Sequence, residues 1–293
     1  MVRRSLLLTH TDLDGIATAV LVAAQRPEVE IEAVDNGAIQ GRLQAHLDDL
    51  DPGSLEIWVA DHSLDSEQAA KVEEFLARGG AFTLLDHHPA EAGVASKPWA
   101  TVDPSRCATT LVFERLGSPA SHREFASLVE DHDLWRHADP RSAALAALLD
   151  LLGRESFRRR FVADPRVEFD AAERLLLERA AAWQEEYLEK KARQARVVTI
   201  GGRRWALAYA ERYQSQLADH LMNSLEVQAT AVMNPGNRTV SLRGRGCDVS
   251  PIAAAQGGGG HARAAAFSFR GRPLELTLER FEEDLERLLE PRE

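Results

Sequence analysis

The stretch LLLTHTDLDG, Leu6–Gly15, predicts the end of a buried strand followed directly by polar side chains. The three leucines that open it are typical of a strand inside a sheet. His10, Asp12 and Asp14 then follow at every second position. If the strand continues through them, their side chains point to one side, because successive strand residues alternate between faces. An imidazole and two carboxylates on one side indicate a bound cation. The structural alternative is that Asp14 caps the following helix.

The first half of the chain alternates strand-like and helix-like segments joined by short loops. This alternation predicts a parallel sheet covered by helices on both faces. Ligands of such sheets bind outside the carboxyl ends of the strands. Three of the predicted strands end in acidic or histidine-containing groups, which are THTDLD at 9–14, VADHS at 59–63 and LLDHH at 84–88. This shared position is the strongest indication of a functional site in the sequence.

The second half predicts a different organisation. A helical pattern runs from about 106 to 161, and a long helix with interleaved charges follows it. Short strands then alternate with helices, and a last helix is predicted over LTLERFEEDLERLLE at 276–290. We therefore predict an α/β protein with a Rossmann-like parallel-sheet domain over 1–165, a linker helix over 166–195 and a smaller α/β domain over 196–293.

The composition limits the classes of partner. The 293 residues carry a formal net charge of −11, and 44% of them are hydrophobic. An acidic chain is not expected to bind duplex nucleic acid or an anionic membrane through a broad basic face. The two cysteines, Cys107 and Cys247, form no metal-binding pair and no disulfide framework, so we expect a cytoplasmic protein. No apolar run is long enough to span a bilayer.

Four further stretches carry side chains that bind metals or phosphate groups. They are Asp61 in WVADHSL, the triplet DHH at 86–88, VEDHDLWRH at 129–137 and QGGGGHARAAAF at 256–267. Taken singly, Asp61 and the acids of the third stretch are better explained as a helix cap and a solvated helix end. Adjacent histidines at a buried strand end are uncommon in a purely structural role, although strand geometry leaves open which of them faces a metal. The glycine N–H groups can cradle an anion.

In combination these motifs resemble the DHH phosphoesterases, a family named for the triplet found here at 86–88. The family's opening motif H-x-D-x-D-G is matched by residues 10–15, and its later acids are matched by Asp61 and by Asp131. The C-terminal half is similar to the DHH-associated domain, whose S-x-R strand and G-G-G-H-x-x-A-A-G signature correspond to VSLRG at 240–244 and GGGHARAAA at 258–266. Ala266 replaces the usual last glycine. The resemblance covers nearly the whole chain.

The resemblance implies two domains facing across a cleft that holds the active site, with a dinuclear metal centre in the first domain. The metal is usually manganese, with Mg²⁺ or another divalent ion as the alternative. The ligands carried over by position are His10 and Asp12 for one ion, Asp14, His87 and Asp131 for the other, and Asp61 as the bridge. Asp133 lies close enough in sequence to take the place of Asp131.

The remaining roles implied by the resemblance concern the substrate. His88 would contact the scissile phosphate, and together with the bridging Asp61 it is the expected catalytic residue. The residues expected to hold the far end of the substrate are Arg243, Gly258, Gly259, Gly260 and His261. The stretch DHDLW resembles the nano-RNase and cyclic-nucleotide phosphodiesterase branch of the family more than the pyrophosphatase branch.

These roles predict a phosphodiesterase that hydrolyses short single-stranded oligonucleotides with two metals activating water. The alternatives are a phosphomonoesterase on a 3′,5′-bisphosphate nucleotide, a cyclic (di)nucleotide phosphodiesterase and an inorganic pyrophosphatase. A non-catalytic nucleotide-binding protein is disfavoured because every expected ligand has a match. A processive exonuclease would need a longer basic or aromatic track. The oligomeric state stays open, a homodimer included.

Overall fold

The computed structural model describes residues 3–35, 38–48 and 51–268. The chain divides into two compact units, Met1–Glu178 and Arg179–Glu293. The division falls inside the helix expected to link two domains. The helix predicted over 276–290 lies outside the described residues.

The first unit contains a parallel five-stranded sheet, which confirms the fold class predicted from strand and helix alternation. The strands are β1 (Arg4–Thr9), β2 (Glu30–Ala33), β3 (Leu55–Ala60), β4 (Ala81–Asp86) and β5 (Ala100–Val102). Their spatial order is β2-β1-β3-β4-β5. The helices are α1 (Leu13–Gln25), α2 (Ile39–Leu47), α3 (Ser66–Ala77), α4 (Ala92–Ala95), α5 (Ala108–Leu116), α6 (Arg123–Asp133), α7 (Pro140–Leu152) and α8 (Arg154–Ala163).

Strand β1 is apolar on both sides because helices cover both faces of the sheet. Leu7 packs with residues of α1, α5, α6, α7 and α8, whereas Leu6 and Leu8 pack with residues of α2 and α3 on the opposite face. None of the three leucines is more than 1% exposed. Full burial of one such side chain contributes about 1.5–3 kcal/mol. The core therefore fixes β1 at the centre of the sheet.

The strand order places a crevice at the end of β1. From β1 the chain crosses to β2 on one side and then returns to β3 on the other. Helices that follow β1 and β3 therefore leave on opposite faces, and the carboxyl ends of these two strands open between them. Ligands of parallel sheets bind at such a switch point. His10 follows β1 and Asp61 follows β3, so both lie at this crevice.

The second unit holds a mixed six-stranded sheet in the order β10-β11-β9-β8-β7-β6, in which only β7 and β8 run parallel. The elements, beginning with the helix that enters this unit, are α9 (Ala171–Gln194), β6 (Arg196–Ile200), β7 (Arg203–Tyr209), α10 (Gln214–Ser224), β8 (Ala229–Asn234), β9 (Thr239–Gly244), α11 (Ser250–Ala255), β10 (Gly259–His261) and β11 (Ala264–Ser268). This sheet confirms the predicted C-terminal α/β region. Strand β10 could not be predicted from the sequence, because its glycines give no alternation of apolar and polar side chains.

Helix α9 is largely solvated, as its interleaved charges predict. Among its residues only Glu173 is buried. Leu177 packs against the core of the first unit, and Tyr187 and Leu188 pack against a core of the second. Among the described residues, no helix combines the length and the apolar character needed to cross a membrane.

We expect Gly15→Ala to destabilise the protein, because the new Cβ would lie 2.2 Å from the carbonyl oxygen of His10. Overpacking of this kind costs about 1–3 kcal/mol, since the backbone must move to relieve it. The matched control is Gly41→Ala in α2, where a Cβ meets nothing within 4 Å. This control should leave stability unchanged or raise it by up to about 1 kcal/mol. Urea unfolding followed by circular dichroism compares the two, and equal stabilities would contradict the steric argument.

Candidate metal centre

The three polar residues after β1 come together through a turn and not through a continuing strand. Strand β1 ends at Thr9, and α1 begins at Leu13. Asp12 is the N-cap of α1, and its carboxylate accepts the backbone N–H of Gly15 at 3.1 Å. His10 Nδ1 lies 2.8 Å from the other oxygen of Asp12. A continuation of the strand through Asp14 therefore does not form, and the structural alternative that Asp14 is the cap does not hold, because the residue at the helix start is Asp12.

Asp14 is buried against the start of a second helix. Its side chain is fully buried, and its two oxygens accept the backbone N–H groups of Ala108 at 2.7 Å and Thr109 at 2.8 Å. These groups open α5, where the helix dipole favours a negative charge. Burial nevertheless raises the pKa of Asp14, and the negative charge of Asp12 raises it further. A cation beside Asp14 would offset both effects.

Asp61 lies between two groups of candidate ligands. It is 2% exposed, and it adopts a left-handed backbone with φ of 58° directly after β3. Its backbone N–H donates to Leu85 O at 3.1 Å, which holds the turn against β4. One carboxylate oxygen, Oδ1, lies 3.4 Å from His87 Nε2, and the other, Oδ2, lies 3.8 Å from His10 Nδ1. The two oxygens of a single carboxylate thus face two different histidines.

The structure separates the two histidines of the DHH triplet. His87 Nε2 lies 3.5 Å from Asp133 Oδ2 and 3.9 Å from Asp14 Oδ2. Burial lowers the pKa of His87, so its imidazole is neutral, as a metal ligand must be. His88 instead places Nδ1 2.8 Å from Asp86 Oδ1. His87 therefore lies between Asp14, Asp61 and Asp133, whereas the nearest acid to His88 is Asp86.

Asp86 is a functional candidate to which sequence reasoning assigned no role, although it begins the triplet. It is fully buried and accepts a hydrogen bond from Ser63 Oγ at 3.2 Å in addition to the contact with His88. The hydrogen bond to Asp86 raises the pKa of His88. Because Asp86 accepts the proton of Nδ1, the ring is fixed in one orientation and Nε2 is left for another partner. Asp86 thus positions His88.

Of the two acids that could match the fourth motif, the structure places Asp133 and not Asp131 beside the other candidate ligands. The Asp131 carboxylate accepts the backbone N–H groups of Ala138 at 2.9 Å and Asp139 at 3.3 Å. It therefore fixes the loop after α6, and it belongs to none of the candidate ligand groups among the described residues. Asp133, the last residue of α6, is the acid that approaches His87.

The described residues contain three overlapping sets of candidate metal ligands, and the ligand atoms within each set lie within 4.8 Å of one another. The sets are His10, Asp12 and Asp61; Asp61, His87 and His88; and Asp14, His87 and Asp133. Carboxylate oxygens with imidazole nitrogens suit Mn²⁺, Mg²⁺ or Fe²⁺. Asp61 Oδ2 and Asp133 Oδ2 are buried without a hydrogen-bond partner in the part of the chain that the structure describes. The donor set and these orphaned oxygens fit divalent metal ions.

A nearby positive charge would stabilise the buried carboxylates of this centre. Burial raises the pKa of Asp61 well above its ordinary value, and repulsion from Asp14 adds to the shift. Burial, followed by repulsion from Asp14 and Asp12, raises the pKa of Asp133 to about 8. Burial also acts to raise the pKa of Asp12, but the hydrogen bond and the charge of His10, together with the Gly15 N–H, outweigh it, and the pKa falls to about 2. The carboxylates are thus packed more closely than their own charges favour.

The residues expected to hold the far end of the substrate lie in the second unit. His261 pairs with Ala264, and Ala264 pairs with Arg243, so His261 and Arg243 share one face of the sheet. Arg243 donates from Nη2 to Ser215 Oγ at 2.7 Å.

Two glycines of the run at 257–260 already use their backbone N–H groups within the fold. The Gly257 and Gly258 N–H groups donate to the carbonyls of Ala254 and Ala253 at the end of α11. A Cβ on Gly258 would lie 2.2 Å from Ala266 O, so the close approach of two chain segments requires glycine there. Gly259 and Gly260 belong to the edge strand β10. The N–H groups of Gly257 and Gly258 are therefore not available to bind an anion, which leaves at most those of Gly259 and Gly260.

No protein-family model matches the chain. It is 26% identical over 295 residues to oligoribonuclease NrnB of Bacillus subtilis (strain 168), an alignment that covers 92% of this chain and 74% of the relative. Two solved structures share the fold. A pGpG-specific phosphodiesterase from Vibrio cholerae matches with a TM-score of 0.56 and 14% identity over 97% of this chain and 99% of that one. The DHH domain of a member of a family of ribosomal proteins matches with a TM-score of 0.57 and 15% identity over 97% and 86%.

The fold and the acid-histidine centre define the chain as an α/β protein with a candidate metal site at the switch point of a parallel sheet. The order of its motifs and its similarity to an oligoribonuclease and to a DHH domain confirm the resemblance to the DHH phosphoesterases.

We expect Asp133→Asn to weaken Mn²⁺ binding by at least about tenfold, whereas Asp131→Asn should change it by less than about threefold. The amide at 133 removes a charged candidate ligand beside His87, whereas position 131 contacts the backbone of the following loop. Supporting groups around metal ligands change affinity by about 10- to 100-fold, and direct ligands are expected to matter at least as much. Isothermal titration calorimetry with Mn²⁺ provides the comparison. The reverse order of effects would return the assignment to Asp131.

We expect the metal-free protein to lose stability as pH rises from about 4 to about 8. In this window the folded state holds a proton on Asp133, whose pKa is about 8, whereas the unfolded chain, with an Asp pKa of 3.8, has released it. The folded state binds more protons, so the free energy of unfolding falls with rising pH and levels off above 8. Thermal unfolding in chelator across this range measures the slope, and Asp133→Asn should reduce it, leaving the part that comes from the raised pKa values of Asp14 and Asp61. An unchanged slope in this variant would contradict the burial of a carboxylate at this position.

Proposed function

We propose that this chain is a metal-dependent phosphoesterase that hydrolyses phosphodiester bonds of short single-stranded oligonucleotides. The observation that carries the proposal is the buried Asp61 carboxylate, whose two oxygens face His10 and His87 at the switch point of the sheet. The similarity to a protein named as an oligoribonuclease supports a short nucleic acid as the substrate class.

The proposed centre holds two divalent cations, with Mn²⁺ as the first choice and Mg²⁺ as the alternative. His10 and Asp12 would hold one ion, Asp14, His87 and Asp133 would hold the other, and Asp61, which lies between these two sets, would contribute to both. When bound, a pair of cations supplies positive charge to the phosphoryl oxygens and a template for in-line displacement. This local charge also explains how a chain with a net charge of −11 attracts an anionic substrate.

The chain's own groups supply orientation and a proton donor. Asp61 is catalytic in this proposal because it fixes both ions through one rigid, buried carboxylate. His88 directs Nε2 at a phosphoryl oxygen, since Asp86 holds its Nδ1. The raised pKa of His88 favours the protonated ring, which carries a positive charge to the transition state.

The second unit is proposed to hold the part of the substrate remote from the scissile phosphate. Arg243 and His261 share a face of its sheet, and the edge-strand glycines Gly259 and Gly260 leave backbone groups near His261. Gly258 contributes through the tight approach of its backbone to β11. Arg243 already donates to Ser215, so the guanidinium is held in one orientation for an acidic group.

The proposal also names the partners and the cellular compartment of the protein. Short single strands, and neither duplexes nor membranes, are the expected partners, because an acidic chain relies on the metal centre for its attraction to phosphate. Cys107 and Cys247 are both free, which fits a reducing cytoplasm. The active form is proposed as a monomer or a homodimer.

The test compares kcat/KM of the Mn²⁺-loaded protein on six substrate types. They are linear dinucleotides, longer RNA, longer DNA, cyclic dinucleotides, a 3′,5′-bisphosphate nucleotide and pyrophosphate. We expect linear dinucleotides to rank first and all activity to vanish in chelator. A higher kcat/KM for the bisphosphate, the cyclic dinucleotides or pyrophosphate would select the corresponding alternative, and hydrolysis of none of them would refute the proposal.

In the same assay His88→Ala should lower kcat by about 100- to 1,000-fold, the usual effect of removing one donor to a transition-state oxyanion. His46→Ala is the matched control, because His46 pairs with Glu32 and belongs to none of the candidate ligand groups found in the described residues. It should retain wild-type turnover.

Arg243→Ala and His261→Ala should separate substrate capture from chemistry. Loss of a hydrogen bond to a charged group costs about 1.5–3 kcal/mol, which is roughly 10- to 150-fold in kcat/KM for a dinucleotide. Bis-p-nitrophenyl phosphate has no remote nucleotide, so its hydrolysis should be nearly unchanged. Arg245→Ala is the control, because Arg245 is exposed and donates to Asn223 on α10. Parallel loss of both activities, with metal content unchanged, would show that this unit does not act as a separate capture site.

A further inference from the structure

The loop that follows α6 contains two aromatic residues whose backbone conformation is energetically unfavourable. Trp135 and His137 both have positive φ, at 54° and 49°. Bulky residues rarely adopt this region, which costs about 1–2 kcal/mol for a residue with a side chain. Such backbone persists only where the surrounding structure over-determines it, and it concentrates at ligand-binding sites.

Acidic residues of α6 fix this loop from two sides. The Asp131 carboxylate accepts the N–H groups of Ala138 and Asp139, and the Asp131 carbonyl accepts the N–H of Arg136 at 2.9 Å. The Arg136 guanidinium donates to Glu130 Oε1 at 3.0 Å. The loop is therefore tied to the end of the helix through backbone and side chain alike.

This rigid loop leaves a large aromatic ring in solvent. Trp135 is 43% exposed. The ring of His137 meets it edge-on, with centroids 4.3 Å apart, and the ring of His132 lies 6.1 Å away. Burying the indole would have stabilised the fold, so an exposed and immobilised tryptophan calls for another occupant. His137 and His132 support the ring while one part of its surface stays free.

The exposed ring of Trp135 lies close in the chain to a residue of the candidate metal centre. Asp133, two residues before Trp135, approaches His87. His132, the residue before Asp133, lies with its ring centroid 5.8 Å from that of His137 in the loop. Burial lowers the pKa of His132, the neighbouring His137 lowers it further, and the carboxylate of Asp12 acts in the opposite direction. A nucleotide whose phosphate binds at the metal centre would therefore place its base close to the residues around that centre.

We propose that Trp135 is a positioning residue that stacks on a nucleobase of the substrate whose phosphate is bound at the metal centre. This inference rests on the proposed function, because it assumes a nucleotide at that centre. Base stacking suits an exposed indole on a fixed loop, since every base presents a flat π-face and little side-chain entropy is lost. A base is favoured over a protein partner because the adjacent centre selects an anion that carries the base with it.

The test uses equilibrium binding of AMP and of ribose 5-phosphate, measured by calorimetry in Mn²⁺. Both ligands carry the same 5′-phosphate, and only AMP carries a base. In the wild type AMP should bind more tightly than ribose 5-phosphate. Trp135→Ala should weaken AMP by about 5- to 150-fold, the range for removing one stacked aromatic side chain, and ribose 5-phosphate by less than about twofold. Trp135→Phe should restore most of the affinity for AMP.

The matched control is Trp183→Ala, which removes a more exposed tryptophan, 65% accessible, on α9. It should leave both affinities unchanged. The stacking role is overturned if wild type binds the two ligands equally, if Trp135→Ala leaves AMP binding intact, or if both ligands weaken in parallel. The readout does not require hydrolysis. If wild type cleaves no oligonucleotide while the AMP-specific loss is observed, the proposed function fails and the stacking role stands.

Discussion

The crowding of buried carboxylates at the ends of β1, β3 and α6 is the constraint on which the rest of the first unit depends. Asp14 and Asp61 are almost completely buried, and burial together with mutual repulsion raises the pKa of both. The fold opposes this repulsion with the opening N–H groups of α5 and with the strained turn at Asp61. Those devices hold the acids in place, but they do not neutralise them. Divalent cations would do so, and a pair of them would also stabilise the attacking and leaving oxygens in the hydrolysis of a phosphodiester.

Much of this arrangement could be predicted from the sequence, because it follows from periodicity. Apolar runs that end in acids at 9–14, 59–63 and 84–88 indicate a parallel sheet with a site at its carboxyl edge. The choice between Asp131 and Asp133 could not be predicted. Residues two apart on a helix point about 200° away from each other, and only packing against the sheet decides which faces inward. The N-cap of α1 could not be chosen from the sequence either, because Asp12 and Asp14 are both good caps and the structure uses Asp12.

The acids beside the candidate ligands have roles that a motif does not reveal. Asp86 precedes the histidine pair and fixes the ring of His88, and Asp131 precedes Asp133 and fixes the loop of Trp135. Each is a short-range support for a neighbour that we propose contacts the substrate. Groups of this kind orient ligands and substrate without touching either. The short motifs thus carry both the reacting groups and the contacts that hold them.

The central claim is that Asp61 joins two metal ions in one centre, and electron paramagnetic resonance of the Mn²⁺-loaded protein tests it most directly. Titration should reach two Mn²⁺ per chain, and the final spectrum should show spin coupling between the ions, because one bridging carboxylate holds both. Asp61→Ala should abolish the coupled signal. A saturated wild-type protein with one Mn²⁺ per chain, or with two uncoupled ions, would contradict the account.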